Sequence, residues 1–373
     1  MKKITGLLFI LFPLMLNAES LTVYFGTSGG NQSGSKGIYS TSFDTESGKL
    51  SPDVRLVGEI SSPGFLARHP SLPVIYSTGN KVGTRTPVAA SWAIGDDGSL
   101  NAINQEPTDC GGSAHLAVDP TGKLLVTAQY GNGTIAVFPI KKDGKLEAHS
   151  QIIQLEKATK ATSRQNAPHP HNVTFSPCGH YVFVPDLGAD CTYVFKVDLK
   201  GKKLIAHGSG KTKPGSGPRH MKFSVDGKLA YVLNELSLTV DSFAWDPESG
   251  KLTLIDTEKT LPEAVKEREL MNTASEIRVH PNGKWVYTAN RGNDSISVYK
   301  VNKGDGTLKW VDFTPARVAW PRNFNIDPTG KWIIVGGQNT SNTGVFSIDQ
   351  TTGLLTYQQR SAVGIPAPIC ILF

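Results

Sequence analysis

Apolar runs long enough to cross a membrane are missing from this 373-residue sequence once its first residues are passed, which excludes a multispan membrane protein. Cysteine is scarce: Cys110, Cys178, Cys191 and Cys370 are the four, and no two have C-x-x-C spacing. That argues against a cysteine-based metal site and against a disulfide scaffold. Cys178 and Cys191 are predicted at opposite ends of one hairpin, farther apart than the roughly 7 Å between Cα atoms that a bridge allows, so free, mostly buried thiols are expected. No run of Lys and Arg interleaved with aromatics occurs, and the net charge of +6 is spread along the chain. A basic, solvated surface with no nucleic-acid partner is the expectation. No glycine-rich loop stands between a strand and a helix, as nucleotide phosphates require.

The first residues differ from the rest. "MKK" is a short positive stretch, "ITGLLFILFPLML" an apolar core, and "NAES" a small-residue cleavage site after Ala18. Together they predict a signal peptide over residues 1–18 and an exported mature chain over 19–373, periplasmic or secreted, with no membrane contact after cleavage. The segment is shorter than the about 20 apolar residues of an anchor and contains Pro13.

What is plentiful is punctuation: 38 Gly and 23 Pro, much of it in repeats. One pattern is a turn followed by an apolar strand. It occurs six times, as "HPSLPVIYSTGN", "DPTGKLLVTAQY", "SPCGHYVFVPDL", "SVDGKLAYVLNE", "HPNGKWVYTANR" and "DPTGKWIIVGGQ". Its period of about 50 residues is the length of four strands with their turns, one propeller blade. A second pattern, a polar turn with Gly before Leu, runs through "ESGKL", "DDGSL", "KDGKL", "LKGKKL", "ESGKL", "GDGTL" and "TTGLL", seven copies in all. The first pattern has no copy at the N-terminus, where "LTVYFGTSGGNQSGSKGIYSTSF" supplies strands alone. Ring closure explains this if the N-terminal strand completes a blade with the C-terminal "APICILF". The prediction is an all-β, seven-bladed β-propeller of four antiparallel strands per blade, closed by its N- and C-terminal strands. "LPEAVKERELMNTASE", residues 261–276, reads as a long loop or short helical insertion between blades.

In such a ring the strand before each turn is innermost, and the strand after it runs back to the same mouth. Five residues before each turn stand Gly64, Ala114, His171, Arg219, Ser275 and Arg322. The next positions are Phe65, His115, Asn172, His220, Glu276 and Asn323. The returning strands end at Asn80, Tyr130, Leu187, Glu235, Arg291 and Gln338, preceded in four blades by Gln129, Asp186, Asn234 and Asn290. Folding an inner strand requires no such residues, and arginine in a channel is costly unless paired or facing an anion. Arg219 and Arg291 are candidates to clamp acidic oxygens or to stabilise an oxyanion, and His171 or Glu235 to move a proton. His115, Asp186, His220, Asn290, Arg322 and Gln338 are candidates to bind substrate. No metal cluster stands out, and no cofactor is expected.

At these residues the sequence resembles a known family. "HPHNVTFSPCGHYVFVPDLGAD", "GPRHMKFSVDGKLAYVLNEL", "SEIRVHPNGKWVYTANRGNDSISVY" and "PRNFNIDPTGKWIIVGGQN" are similar to the seven-bladed propeller lactonases. That family includes the propeller type of 6-phosphogluconolactonase and the carboxy-muconate lactonizing enzyme. The resemblance runs from about Leu21 to Phe373. It implies hydrolysis of a small anionic or sugar lactone, with catalytic residues at His171 of "HPHN", Arg219 of "PRH", Glu235 of "NEL" and Arg291 of "NRG". The partner implied is a small-molecule lactone. Two alternatives stay open: a non-catalytic propeller binding an anionic sugar or a protein, and a lactonizing cycloisomerase. Nothing in the sequence points to oligomerisation, and a monomer is expected.

Overall fold

The computed structural model describes Ser20–Gly29 and Gly34–Phe373. The signal-peptide expectation for residues 1–18 lies outside these residues. The described chain forms seven antiparallel sheets, each a blade, set around a channel. Six blades take four consecutive strands each. The second blade is Leu66–Arg68, Val74–Asn80, Pro87–Ile94 and Leu100–Pro107. The third, fourth and fifth begin with the inner strands His115–Val118, Thr174–Phe175 and Pro218–Phe223, and the sixth and seventh with Thr273–Val279 and Pro321–Ile326.

The first blade is assembled from both ends of the chain. Its innermost strand is Pro368–Leu372, which pairs antiparallel with Ser20–Thr27, and Gly37–Asp44 and the short strands beyond follow outward. The expected closure is therefore present. No edge is left between the first and last segments of the ring. The Leu261–Glu276 insertion splits in two: Glu263–Lys266 is a single helical turn, and Thr273–Glu276 already belongs to the inner strand of the sixth blade.

Burial follows position in the blade. Two of the second strands, Leu124–Gln129 and Tyr181–Asp186, are buried at every residue, because blades cover both of their faces. The outermost strands are largely exposed, as in Leu252–Lys259, where only Leu252 is buried. Blades lock to their neighbours through one repeated contact. A tyrosine on the second strand donates its hydroxyl to the Gly-turn of the next blade: Tyr76 to Gly144 O at 2.9 Å, Tyr231 to Gly306 O at 2.8 Å, Tyr287 to Gly353 O at 2.8 Å. Gly144 has φ +84°, and a Cβ there would meet Val74 at 2.8 Å, so the turn pattern needs glycine at this point. In the fourth and seventh blades the aromatic moves two residues earlier, and Tyr181 and Trp332 make the equivalent bonds to Glu248 O and Thr45 O. All four cysteines are free, with Cys178 exposed and the others buried. Trp285 and Trp332 begin second strands and pack against the turns of neighbouring blades, as Gly353 and Gly48 lie against their rings.

Candidate active site in the channel mouth

The inner strands do not enter the channel regularly. Register slips between Pro218 and His220, between Ala274 and Ile277, and between Pro321 and Asn323. Each slip is a β-bulge, which places two successive residues on one side of the strand. That is how Arg219 and His220, and likewise Arg322 and Asn323, come to serve the same channel from adjacent positions. The outer residue of each pair forms a ring at the mouth, and the inner one a ring below it.

The mouth is organised around one carboxylate. Glu235, at the end of the strand Leu229–Asn234, has a side chain 4% exposed. Its Oε2 accepts from Arg219 Nε at 2.8 Å. Its Oε1 lies 3.1 Å from Arg291 Nη2 and 3.0 Å from Arg164 Nη2. Burial alone would raise this carboxyl, but Arg291, Arg219, His171 and Arg164 outweigh it and hold the carboxyl far below the usual carboxylate range. Glu235 is thus a fixed anion that is a poor proton acceptor.

Arg219 is 1% exposed. Besides Glu235, it donates from Nη1 to His220 Nε2 at 3.0 Å and to the Ser275 carbonyl. Its Nη2 has no partner among the described residues, and Arg219 lines a cavity of about 210 Å³. His171, His220 and Arg322 line the same cavity, opposite Thr27, Ser28, Ser62, Phe65 and Ser113. Neither ring nitrogen of His171 has a hydrogen-bond partner among the described residues, and its Nδ1 is buried. Burial, then the charge of Arg219, pushes the imidazole well below its ordinary range, so His171 is neutral at neutral pH. Arg322 has no hydrogen-bond or ion-pair partner among the described residues, although burial and then Arg291 disfavour its charge and lower it to about 10.

Below the mouth lies a second cluster. Glu276 is fully buried, with Oε1 3.0 Å from His220 Nδ1 and Oε2 3.4 Å from Arg278 Nη2. Asn323 Nδ2 also donates to Oε2. These partners assign the His220 tautomer: Nδ1–H faces Glu276, and Nε2 accepts from Arg219. Burial and the charge of Arg219 hold His220 well below its ordinary range, and His115, whose Nε2 accepts from Asn172 at 2.9 Å, is lowered chiefly by burial.

A mouth with four arginines and one carboxylate, opening on a cavity with a neutral imidazole, suits a small anionic ligand with a polarisable carbonyl. The family described as lactonase, 7-bladed beta-propeller, matches residues 22–373. The chain belongs to this family. A 6-phosphogluconolactonase from Bacillus subtilis is 34% identical over 355 residues, which cover 95% of this chain and 99% of that protein. One from Formosa agariphila is 32% identical over 302 residues, covering 78% and 82%. Among solved structures, the periplasmic gluconolactonase of Pseudomonas aeruginosa has TM-score 0.87 at 28% identity, covering 95% of this chain and 99% of that one.

In this lactonase-family chain the candidate residues separate into three groups. His171, Arg219, His220 and Arg322 line the cavity, Glu235 holds Arg219 from the side, and Arg291 in turn holds Glu235. His115 sits one ring lower, its imidazole 4.0 Å from the Phe65 ring centroid. Asp186, Asn290 and Gln338 do not line the cavity. Asp186 caps a turn: Oδ1 accepts from the backbone of His169 at 2.7 Å, Gly188 at 2.9 Å and Ala189 at 3.0 Å. Asn290 donates to Ser295 and Ser297, inside its own blade. Gln338 bonds through its backbone to Trp320 O at 3.2 Å.

Sequence reasoning overlooked Arg164 and the serines. Arg164 sits between the strand end at Gln154 and His169, a stretch without strands whose length was its only signal. Ser28 lies in "GTSGG", which matches the spacing G-x-S-x-G. The next described element is the strand Gly37–Asp44 rather than a helix, so the described residues show no strand-turn-helix elbow at Ser28.

Proposed function

We propose that the protein is a lactone hydrolase acting on a small anionic sugar lactone of the 6-phosphogluconolactone type. The observation that carries the reading is that one cavity is lined both by Arg219 and by the imidazole of His171, which has no hydrogen bond among the described residues. The Arg219 guanidinium faces the lactone carbonyl and stabilises the oxyanion that develops there. Glu235, Ser275 O and His220 fix the guanidinium in place. Glu235 is kept ionised by its arginines and does not take the proton. That task falls to neutral His171, which accepts a proton as water bonds to the carbonyl carbon. The tetrahedral intermediate collapses with cleavage of the ring C–O bond, and His171 returns the proton to the ring oxygen. The product is a hydroxy acid, whose ionisation releases a proton at neutral pH.

The charge of the mouth supports an anionic substrate: Arg164, Arg219, Arg291 and Arg322 face Glu235 alone, an excess an anion would offset. The names of the relatives from Bacillus subtilis and Pseudomonas aeruginosa support the same reaction class. Export is part of the proposal and rests on the "MKK…NAES" pattern, with a mature N-terminus at Glu19 readable by intact mass.

The test is proton release on 6-phosphogluconolactone, gluconolactone and a muconolactone, corrected for background, with His171→Asn as the control. Turnover that vanishes in the variant is expected. Folded protein inert on all three would overturn the hydrolase in favour of a binding propeller.

A further inference from the structure

Arg164 stands apart from the other mouth arginines. Its side chain is 46% exposed, against 2% for Arg219 and 6% for Arg291. It is also surplus to Glu235, because each carboxylate oxygen already has a buried guanidinium: Arg219 on Oε2 and Arg291 on Oε1. A third, solvent-facing ion pair adds little to stability. The backbone beneath it is nonetheless tied down. Gln165 is fully buried and donates to Leu187 O at 2.8 Å, and Thr159 Oγ1 donates to Asp190 Oδ2 at 2.7 Å. Arg164 N donates to Thr162 Oγ1 at 3.3 Å. The loop is held, and a single long cation is left over the opening.

The guanidinium is only partly engaged. Nη2 makes both of its contacts, to Tyr130 Oη at 2.9 Å and to Glu235 Oε1 at 3.0 Å. Nε and Nη1 have no partner among the described residues, which leaves donors free on either side of the engaged Nη2. Arg322 lines the cavity and has no hydrogen-bond or ion-pair partner among the described residues. One chain of contacts links them: Arg164 reaches Glu235 Oε1, Glu235 Oε2 holds Arg219, and Arg219 and Arg322 line one cavity. Arg322 has no anion of its own, and Arg164 shares its one anion with two buried guanidinia, so the mouth keeps a surplus of positive charge.

We propose that Arg164 and Arg322 form an outer anion subsite that holds the charged substituent of the substrate, remote from the carbonyl that Arg219 polarises. The proposal deepens the hydrolase reading and rests on it for the nature of the ligand. A phosphoryl or carboxylate group entering the mouth takes the free Nε and Nη1 donors of Arg164, whose ion pair with Glu235 is the most exposed of the three. The subsite therefore sets which lactone is chosen and leaves the bond-breaking step to other residues.

Two measurements on the full chain test it. The first is calorimetric binding of inorganic phosphate to wild type, Arg164→Gln, Arg322→Gln and Arg164→Lys. Both glutamine variants are expected to weaken phosphate binding by about tenfold or more, and the lysine variant by less, since it keeps the charge and loses the fork. The second is the ratio of kcat/KM for 6-phosphogluconolactone to that for gluconolactone, expected to fall by about tenfold or more in each glutamine variant. Phosphate binding absent from wild type, or unmoved by both substitutions, overturns the subsite. So does a substrate ratio unmoved by both. Phosphate binding lost in the variants of a protein that hydrolyses no lactone would keep the subsite and remove the hydrolase.

Discussion

Glu235 and Glu276 are both buried carboxylates in the channel, on neighbouring blades, yet they are built for opposite purposes. Glu276 is fully enclosed, and its ligands are an imidazole N–H, an amide and one arginine. Glu235 sits beside an open cavity, and its contacts are three arginines. The lower cluster closes on itself. The upper one carries more positive charge than it can satisfy internally, in a place a ligand can reach. A buried ion pair that is balanced reads as scaffold; one that is unbalanced and adjoins a cavity reads as a site.

Four substitutions would break or sharpen that contrast. Glu276→Leu should cost the most stability, about 3–5 kcal/mol by denaturant titration, because it leaves His220 Nδ1–H, Asn323 and Arg278 without their acceptor. Arg219→Met should leave the fold standing, since Glu235 keeps Arg291 and Arg164, and should lower kcat by about 10²–10³-fold. If instead the first variant lost only activity and the second only stability, the roles assigned to the two clusters would have to be exchanged.

The pH behaviour separates them further. His115, His171 and His220 are all held below their ordinary range in the folded state, so the unfolded chain binds more protons below about pH 6.5. Stability is full above that value and falls as the solution is acidified, and His220→Gln should flatten the fall. With His171 as the base, the acid limb of kcat/KM should lie well below 6.5; a limb at or above 7 would point to a different proton acceptor. The smallest effect is assigned to Asp186, whose carboxyl burial raises to about 7. A carboxyl raised on folding stabilises at low pH, and that contribution is lost as pH climbs from about 4 towards 7. Asp186→Asn should therefore gain on wild type by on the order of 1 kcal/mol between pH 5 and pH 8, measured by thermal unfolding.

Much of this was legible in the chain. The turn repeats count the blades, and the missing first copy marks the blade built from both ends. Columns read off those repeats find His171, Arg219, Glu235 and Arg291, because residues at one register in a propeller meet at one mouth. The same columns mislead where strand alternation is ignored. Asn290 adjoins Arg291 in a regular strand, so its side chain faces the other way, into Ser295 and Ser297. Arg219 and His220 break that rule only through a bulge, which leaves no mark in composition or spacing. Arg164 was invisible for a simpler reason: it lies on a segment with no counterpart in other blades, so no column passes through it.

The joined first blade also sets an order in time. The inner strand at residues 368–372 is what Tyr24–Thr27 pairs with. It also supplies Ile371, which bonds to Asn323 and Asn325 of the seventh blade, and Phe373 O, which accepts from Arg68 of the second at 2.6 Å. Synthesis delivers these residues after every other strand of the ring. Until they leave the ribosome the ring is a horseshoe with two raw edges, and no earlier length of nascent chain can assemble the finished mouth.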